Sequence, residues 1–353
     1  MASYVRCAKE SATGFSSAML SIIIPTLNSG RTLDACLTAI RLQDFPRDEL
    51  EIVLADAGSS DETRAIARRH GVEQIVENPL RTGEAGKSAA LAASRGDLLA
   101  LIDSDNILPD PGWLRRMTAP FADPEIMGTE PLSYTCRRED PALTRYFALL
   151  GMNDPICLFL GNYDRWCGVT GRWTGLPVVQ EDAGDYLKLT LSEAQLPTIG
   201  ANGFVFRRAL LERVSWSPYF FDIDVVHQAV SAGHPHFAKV KTGIVHLYCD
   251  RLALFHRKQQ RRIHDFLYFA ATRQRTYPWQ KQNKLAILQF SLCTVLVLPL
   301  LVQMVRGMRR QPDRAWWYHL PVCWITLWVY GLATFGRLLG RKAGALDRKN
   351  WQK

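Results

Sequence analysis

Two kinds of patterning alternate over the first hundred residues. Short, nearly continuous apolar runs occupy 20–25 (LSIIIP), 50–54 (LEIVL), 72–76 and 97–102 (DLLALI). Between them, stretches at about 31–42, 61–70 and 87–94 space their apolar and small residues at helical intervals. Short apolar strands separated by helices predict a parallel sheet covered on both faces. In such sheets, ligands gather beyond the carboxyl ends of the strands. The chain places its polar residues there: Thr26 to Asn28, Asp56 to Asp61, and Asp103 to Asp105. Residues 107–200 are less regular and rich in Gly, Pro and Trp. The segment 198–208 (TIGANGFVFRR) leads into a helix, and 219–232 precedes a strand expected over about 237–247.

Beyond residue 284 the pattern changes. Residues 285–305 are 21 positions without a charge, and 315–336 are another 22. At the helical rise each reaches about 30 Å, the depth of a bilayer core. Trp279, Trp316, Trp317 and Tyr318 lie at or near the ends of these runs, where amphipathic rings prefer the interface. The expectation is a pair of transmembrane helices, with a re-entrant hairpin or a buried hairpin as alternatives. Lys and Arg number four in 265–284 and six in 337–353, against four in the connecting loop, Arg306, Arg309, Arg310 and Arg314. That bias predicts a multi-pass membrane protein with both ends and the front domain on the cytoplasmic face. The expected organisation is an N-terminal extension (1–18), a catalytic α/β domain (19–250), a basic amphipathic juxtamembrane region (251–284), a membrane hairpin (285–336) and a basic tail (337–353).

Composition sharpens this division. The chain has 353 residues, 47% hydrophobic and 22% charged, enough for two domains and too apolar for disorder. Its net charge of +9 suits nucleic acid at first sight. However, residues 1–250 hold 24 basic and 31 acidic side chains, a net of −7, whereas 251–353 hold 19 and 3, a net of +16. An acidic front half is a poor phosphate-backbone binder, so nucleic acid is not an expected partner; the basic tail suits anionic lipid headgroups. Eight cysteines show no CxxC pair and read as reduced thiols. Residues 1–18 show no basic segment followed by an apolar stretch, so no secretory signal is expected.

Candidate chemistry centres on Asp103-Ser104-Asp105 at the end of an apolar run. Positions i and i+2 of an extended chain point to one side, so the two carboxylates converge and repel unless a divalent cation joins them. Asp56, directly after the second strand, is placed to accept a hydrogen bond from a base edge. Asp61 reads as a helix cap. Residues 83–88 (GEAGKS) look like the end of a phosphate loop, but Arg81 stands where its first glycine belongs. What survives is a helix start where Gly86 and Lys87 attract an anion.

The order Ile24-Pro25-Thr26-Leu27-Asn28, Asp56 to Asp61, Gly86-Lys87-Ser88 and Asp103-Ser104-Asp105 resembles family 2 glycosyltransferases of the GT-A fold over about residues 19–250. The resemblance implies a Rossmann-like, mostly parallel sheet, a nucleotide-sugar donor (UDP- or GDP-linked), a Mg2+ or Mn2+ ion, and inversion at the anomeric carbon. It implies donor contacts from Pro25, Thr26, Asn28, Asp56, Lys87, Asp103 and Ser104. Metal ligation would fall to Asp103 and Asp105, with His246 as a further ligand. Ala55 departs from the pattern where many members carry another aspartate. Gly200-Ala201-Asn202-Gly203 resembles the acceptor loop. Phe221-Asp222-Ile223-Asp224 falls where members carry Glu-Asp, which makes Asp222 the base candidate, with Asp224 beside it; the plain alternative is that both cap a helix. Arg257, Lys258, Arg261 and Arg262 are candidates for phosphate or lipid-phosphate contacts. Gln259 and Arg262 match part of a processive-synthase motif, but Ile263 replaces its tryptophan.

These expectations describe a membrane-anchored transferase that moves one sugar to a lipid-linked acceptor such as polyprenyl phosphate. Transfer to a hydroxyl of a glycolipid or surface-polysaccharide intermediate is the second reading, and a catalytically silent membrane scaffold the third.

Overall fold

The three isoleucines at 22–24 divide between two cores. Ile22 and Ile24 join Leu20, Ile52, Leu54 and Leu98 on one face of a sheet, while Ile23 joins Val53, Leu99 and Leu101 on the other. All three are wholly buried. Strand alternation therefore feeds both faces from one uninterrupted apolar run, and each such side chain contributes about 1.5–3 kcal/mol. The computed structural model describes residues 18–271, 275–277 and 283–339.

The strands are β1 (Leu20–Thr26), β2 (Leu50–Asp56), β3 (Gln74–Glu77), β4 (Leu98–Leu101), β5 (Asn106–Ile107), β6 (Gly128–Tyr134), β7 (Val179–Asp182), β8 (Tyr186–Thr190), β9 (Phe204–Arg207) and β10 (His236–His246). The helices of the sheet region are α1 (Leu33–Arg41), α2 (Thr63–Arg69), α3 (Gly83–Ala93), α4 (Trp113–Thr118), α5 (Ala142–Leu150), α6 (Ile156–Leu160) and α7 (Asp222–Ser231). The sheet runs β3-β2-β1-β4-β9-β6-β10-β8-β7, with β5 paired to β10. Its front, β3-β2-β1-β4, is parallel as the sequence predicts. Beyond it β9 runs antiparallel between β4 and β6, and β10 lies parallel to β6. The chain order reverses at β1, flanked by β2 and β4, the place where crevices open in such sheets.

Four further helices follow: α8 (Leu252–Ala271), α9 (Lys284–Leu296), α10 (Leu298–Arg310) and α11 (His319–Leu338). Here the structure departs from the expected pair of spans. The first apolar run breaks at Val297, whose φ is +60°, just before Pro299, and α9 and α10 meet at 92°. Among the described residues no single helix is long and apolar enough to cross a membrane; only the bent pair has the length and composition together. The connecting turn also lies against the front domain. Arg145 of α5 pairs with Asp313 at 2.9 Å, and Arg310 donates to the Gly168 and Val169 carbonyls. On α11, Thr326 accepts from Gln259 at 2.9 Å, and Tyr330 bonds Asp154. A hairpin threaded through a bilayer would carry the 310–314 turn to the far side, away from these partners. The expected basic tail, 337–353, falls mostly outside the described residues, as do the expected N-terminal extension and Trp279.

Candidate active site

Asp105 and His246 meet because of one short antiparallel ladder. β5 pairs with the end of β10, placing His246 opposite Asn106. The His246 Nε2 then lies 3.6 Å from Asp105 Oδ1. The imidazole is nearly buried, and its Nδ1 has no hydrogen-bond partner. Nε2, and not the unpartnered Nδ1, is the nitrogen that faces the carboxylate. Burial pushes the Asp105 carboxyl up, but His246 and the Lys258 ammonium outweigh it and hold the group well below the usual carboxylate range. A carboxylate and an imidazole nitrogen facing each other are donor types that suit one divalent ion.

The expected third ligand, Asp103, does not complete that cluster: no group of three metal-ligating side chains is gathered among the described residues. Its backbone is fixed by Asn106, whose Oδ1 accepts from Asp103 N at 3.0 Å. Its carboxylate has no hydrogen-bond or ion-pair partner among the described residues, and its charge acts on Lys87 and Asp222. Ser104 donates to Ser29 Oγ at 2.8 Å, joining the loops after β4 and β1.

Lys87 and Asp222 form the second centre. Gly86 lets α3 approach β1, since a Cβ there would sit 2.8 Å from Pro25 Cβ. Lys87 is thereby carried inward, and its Nζ bonds both Asp222 oxygens at 2.8 Å. Asp222 starts α7, and a Cβ on Gly200 would lie 2.9 Å from its backbone. Burial pushes the Asp222 carboxyl up to about 6; Lys87 opposes that rise, while Asp103 and Glu84 add to it. A carboxylate titrating near neutrality is suited to accept a proton.

Four of the expected residues are engaged within the protein. Asp56 is fully buried and receives five donors: Thr26 Oγ1, Gly58 N, Ser59 N, Ser59 Oγ and Arg64 Nε. Its lone pairs are filled by the β2–α2 turn, leaving none for a base N–H. Thr26 is likewise spent on Asp56. Asp224 is buried and accepts from Arg275 Nε at 2.6 Å and from the Thr276 and Tyr277 amides; it anchors that segment and takes no part beside Asp222. Arg262 turns inward to Gln259, the Asn153 carbonyl and Asp154, so it ties α8 to its neighbours and presents no free cation. By contrast Lys258, over the Tyr248 ring at 4.2 Å, acts on Asp105. Arg257 and Arg261 are exposed. Asn28, at φ +50°, accepts from Ser60 N and donates its own amide to Ser59, fixing the loop beside β1. Asp61 accepts from Thr63 N at the start of α2, one residue before the N-cap position, which Glu62 occupies.

Sequence reasoning missed the support beneath the 200–203 loop. Glu130 of β6, Arg165 and Lys239 of β10 are at most 1% exposed. Arg165 lies 2.6 Å from Glu130, and Lys239 2.5 Å; Asp164 joins them. Glu130 accepts from Gly200 N at 2.9 Å, and Arg165 donates to the Ala201 and Asn202 carbonyls. Asn202 in turn accepts from Asn106 Nδ2 at 3.1 Å, and Gly203 packs against Ile244. The loop is thus pinned between both centres. Only charge-bearing residues at strand positions in an otherwise apolar setting, Glu130 and Lys239, signalled it.

Comparison with known proteins agrees with this architecture. The glycosyl transferase family 2 model matches residues 21–171. Glycosyltransferase AglE of Haloferax volcanii is 31% identical over 102 residues, 28% of this chain and 33% of that protein. Glucosyl-3-phosphoglycerate synthase of Mycobacterium tuberculosis is 35% identical over 111 residues, 29% of this chain and 33% of that protein. The matched region spans about a third of these relatives' length. A mannosyltransferase from Pyrobaculum calidifontis, solved with GDP-Man and Mn2+, superposes over 92% of this chain and 88% of its own, at 18% identity and a TM-score of 0.51. That likeness shows a shared GT-A-like α/β fold. The glycosyl transferase family 2 model thus falls on the part of the chain that carries Asp56, Lys87 and the Asp103–Asp105 turn.

Proposed function

We propose that this chain transfers one sugar, with inversion, from a UDP- or GDP-sugar to an acceptor carried on a membrane lipid, at the cytoplasmic face of that membrane. The observation that carries the reading is the Asp105–His246 pair, a carboxylate faced by an imidazole nitrogen at 3.6 Å. Asp105 and His246 would hold a divalent ion, Mg2+ or Mn2+, whose chemistry when bound is Lewis-acid stabilisation of the departing diphosphate. Lys258 adds a cation on the same side, acting on Asp105 from α8. Lys87 meets Asp222 and feels Asp103, so it stands between the donor turn and the base. The 200–203 loop, held from below by Glu130 and Arg165, fixes the acceptor wall.

Relatives support the donor class: the Pyrobaculum enzyme was solved with GDP-Man and Mn2+. Binding of UDP- and GDP-sugars to the full chain, followed by calorimetry with and without Mn2+, tests the reading together with nucleotide release. Metal-dependent binding that Asp105→Ala abolishes is the expected result. Wild-type binding in that variant, or no nucleotide binding at all, would sink it, the latter in favour of a silent scaffold.

The Asp222 geometry favours a hydroxyl acceptor over a phosphate one. A phosphate is already ionised near neutrality and needs no base, whereas a sugar hydroxyl does. Asp222→Asn should therefore lower turnover by about 10²–10⁴-fold with donor binding kept; near-normal turnover would return the assignment to polyprenyl phosphate.

A further inference from the structure

The C-terminal helices carry an outward apolar stripe that nothing among the described residues covers. On α11, Trp324, Trp328, Leu332 and Phe335 recur at helical spacing on one face and are exposed, Trp328 by 63% and Leu332 by 61%, and Leu339 continues the face just past its end. On α9, Leu285, Leu288, Leu292 and Val295 do the same, and Leu296 and Leu298 continue it round the bend. The opposite faces are committed to the protein: Phe290 and Thr294 on α9, and His319, Val322, Thr326 and Val329 on α11, are buried. Monomeric proteins rarely leave so extended an apolar surface open.

We propose that this stripe lies in one leaflet of a bilayer rich in anionic lipid, in the plane of the interface, without crossing it. Three observations carry this. The α9 and α10 halves have 13 residues each and meet at 92°, so each is about 20 Å long, short of a bilayer core. The 310–314 turn is held on the front domain's side by Arg145–Asp313 and by Arg310 on the Gly168 and Val169 carbonyls. Lys284, Arg306, Arg309, Arg314 and Arg337, on these helices and the turn between them, are all exposed. Cations beside an apolar face complement anionic headgroups, whereas two copies of so basic a module repel one another. The inference deepens the membrane part of the proposed function, and its observable is independent of turnover.

The test uses the full chain with Cys7, Cys136, Cys157 and Cys293 changed to Ser, which leaves Cys36, Cys167, Cys249 and Cys323, all buried. Two cysteine reporters are added separately, Glu181→Cys on the exposed β7 strand and Arg309→Cys at the end of α10. In sealed membrane vesicles from expressing cells, a membrane-impermeant maleimide should label both from the same side. Labelling from opposite sides would establish a crossing hairpin and overturn the proposal. In a flotation assay, purified protein should rise with vesicles of phosphatidylcholine and phosphatidylglycerol. Trp328→Glu with Leu332→Glu should cut that bound fraction by more than about tenfold, while nucleotide-sugar binding stays at the wild-type level. Equal flotation of the double variant, or a wild-type chain that forms dimers and ignores vesicles, would overturn it too. Loss of nucleotide binding with intact flotation would instead count against the catalytic reading alone.

Discussion

Lys87 and Asp222 lie 135 positions apart, yet one ammonium bonds both oxygens of one carboxylate. Burial keeps that carboxylate near 6 despite the contact, so it is protonated below that pH and ionised above it. As a base it works only when ionised, and kcat/KM should fall as pH drops through about 6. Lys87 favours the charged form, while Asp103 and Glu84 oppose it. Lys87→Met should therefore move the acidic limb of the pH profile upward; an unmoved limb would remove Asp222 as its source. Asp224, two residues on, behaves differently. With Arg275 and two amides around it, Asp224→Ala should cost about 3–5 kcal/mol of stability, read by denaturant melts, with kcat per folded molecule little changed. Both carboxylates open the same helix, and sequence alone distinguishes them only by register. The partners that separate their roles, Lys87 and Arg275, lie far off in the chain. Asp56 is a like case: its position after β2 is legible, but the five donors that fill it are not.

At the level of elements, the parallel front of the sheet was readable because each strand is an apolar run feeding two cores. Strand β5 was not. Two residues long, it has no pattern of its own, yet its pairing with β10 brings His246 to Asp105. The 200–203 loop is legible by motif, while its foundation is only faintly so: Glu130, Arg165 and Lys239 are scattered over more than a hundred positions, and nothing in the sequence but the strand setting of Glu130 and Lys239 hints that they meet. Gly200 shows how tightly that loop is built. Its φ is +130°, and a Cβ would strike Asp222. Gly200→Ala should therefore cost about 1–3 kcal/mol in backbone strain and displace the base. The expected readout is a fall in kcat with donor affinity kept; unchanged kcat would show that the loop does not set the base.

Over the whole molecule, hydropathy located the apolar helices but not their path. A window average registers 21 uncharged residues and is blind to Val297 and Pro299, where the helix turns. It is equally blind to the bonds that fold the next loop back onto the front domain. Arg145 and Asp313, each about a fifth exposed, are the simplest probe of that docking. A double-mutant cycle with Arg145→Ala and Asp313→Ala should give a coupling of about 1 kcal/mol by thermal or denaturant unfolding, and strictly additive losses would mean that the contact is absent in solution.

Arg310 grips the carbonyls of Gly168 and Val169, and three residues earlier Arg165 grips those of Ala201 and Asn202. The outermost helices and the wall of the reaction centre therefore share one short, taut stretch of backbone. On the leaflet seating proposed above, extraction into detergent micelles, which press on those helices with a curvature unlike that of a flat leaflet, should slacken the wall as well. Turnover on even a freely diffusing acceptor should then rise when the extracted enzyme is returned to nanodiscs.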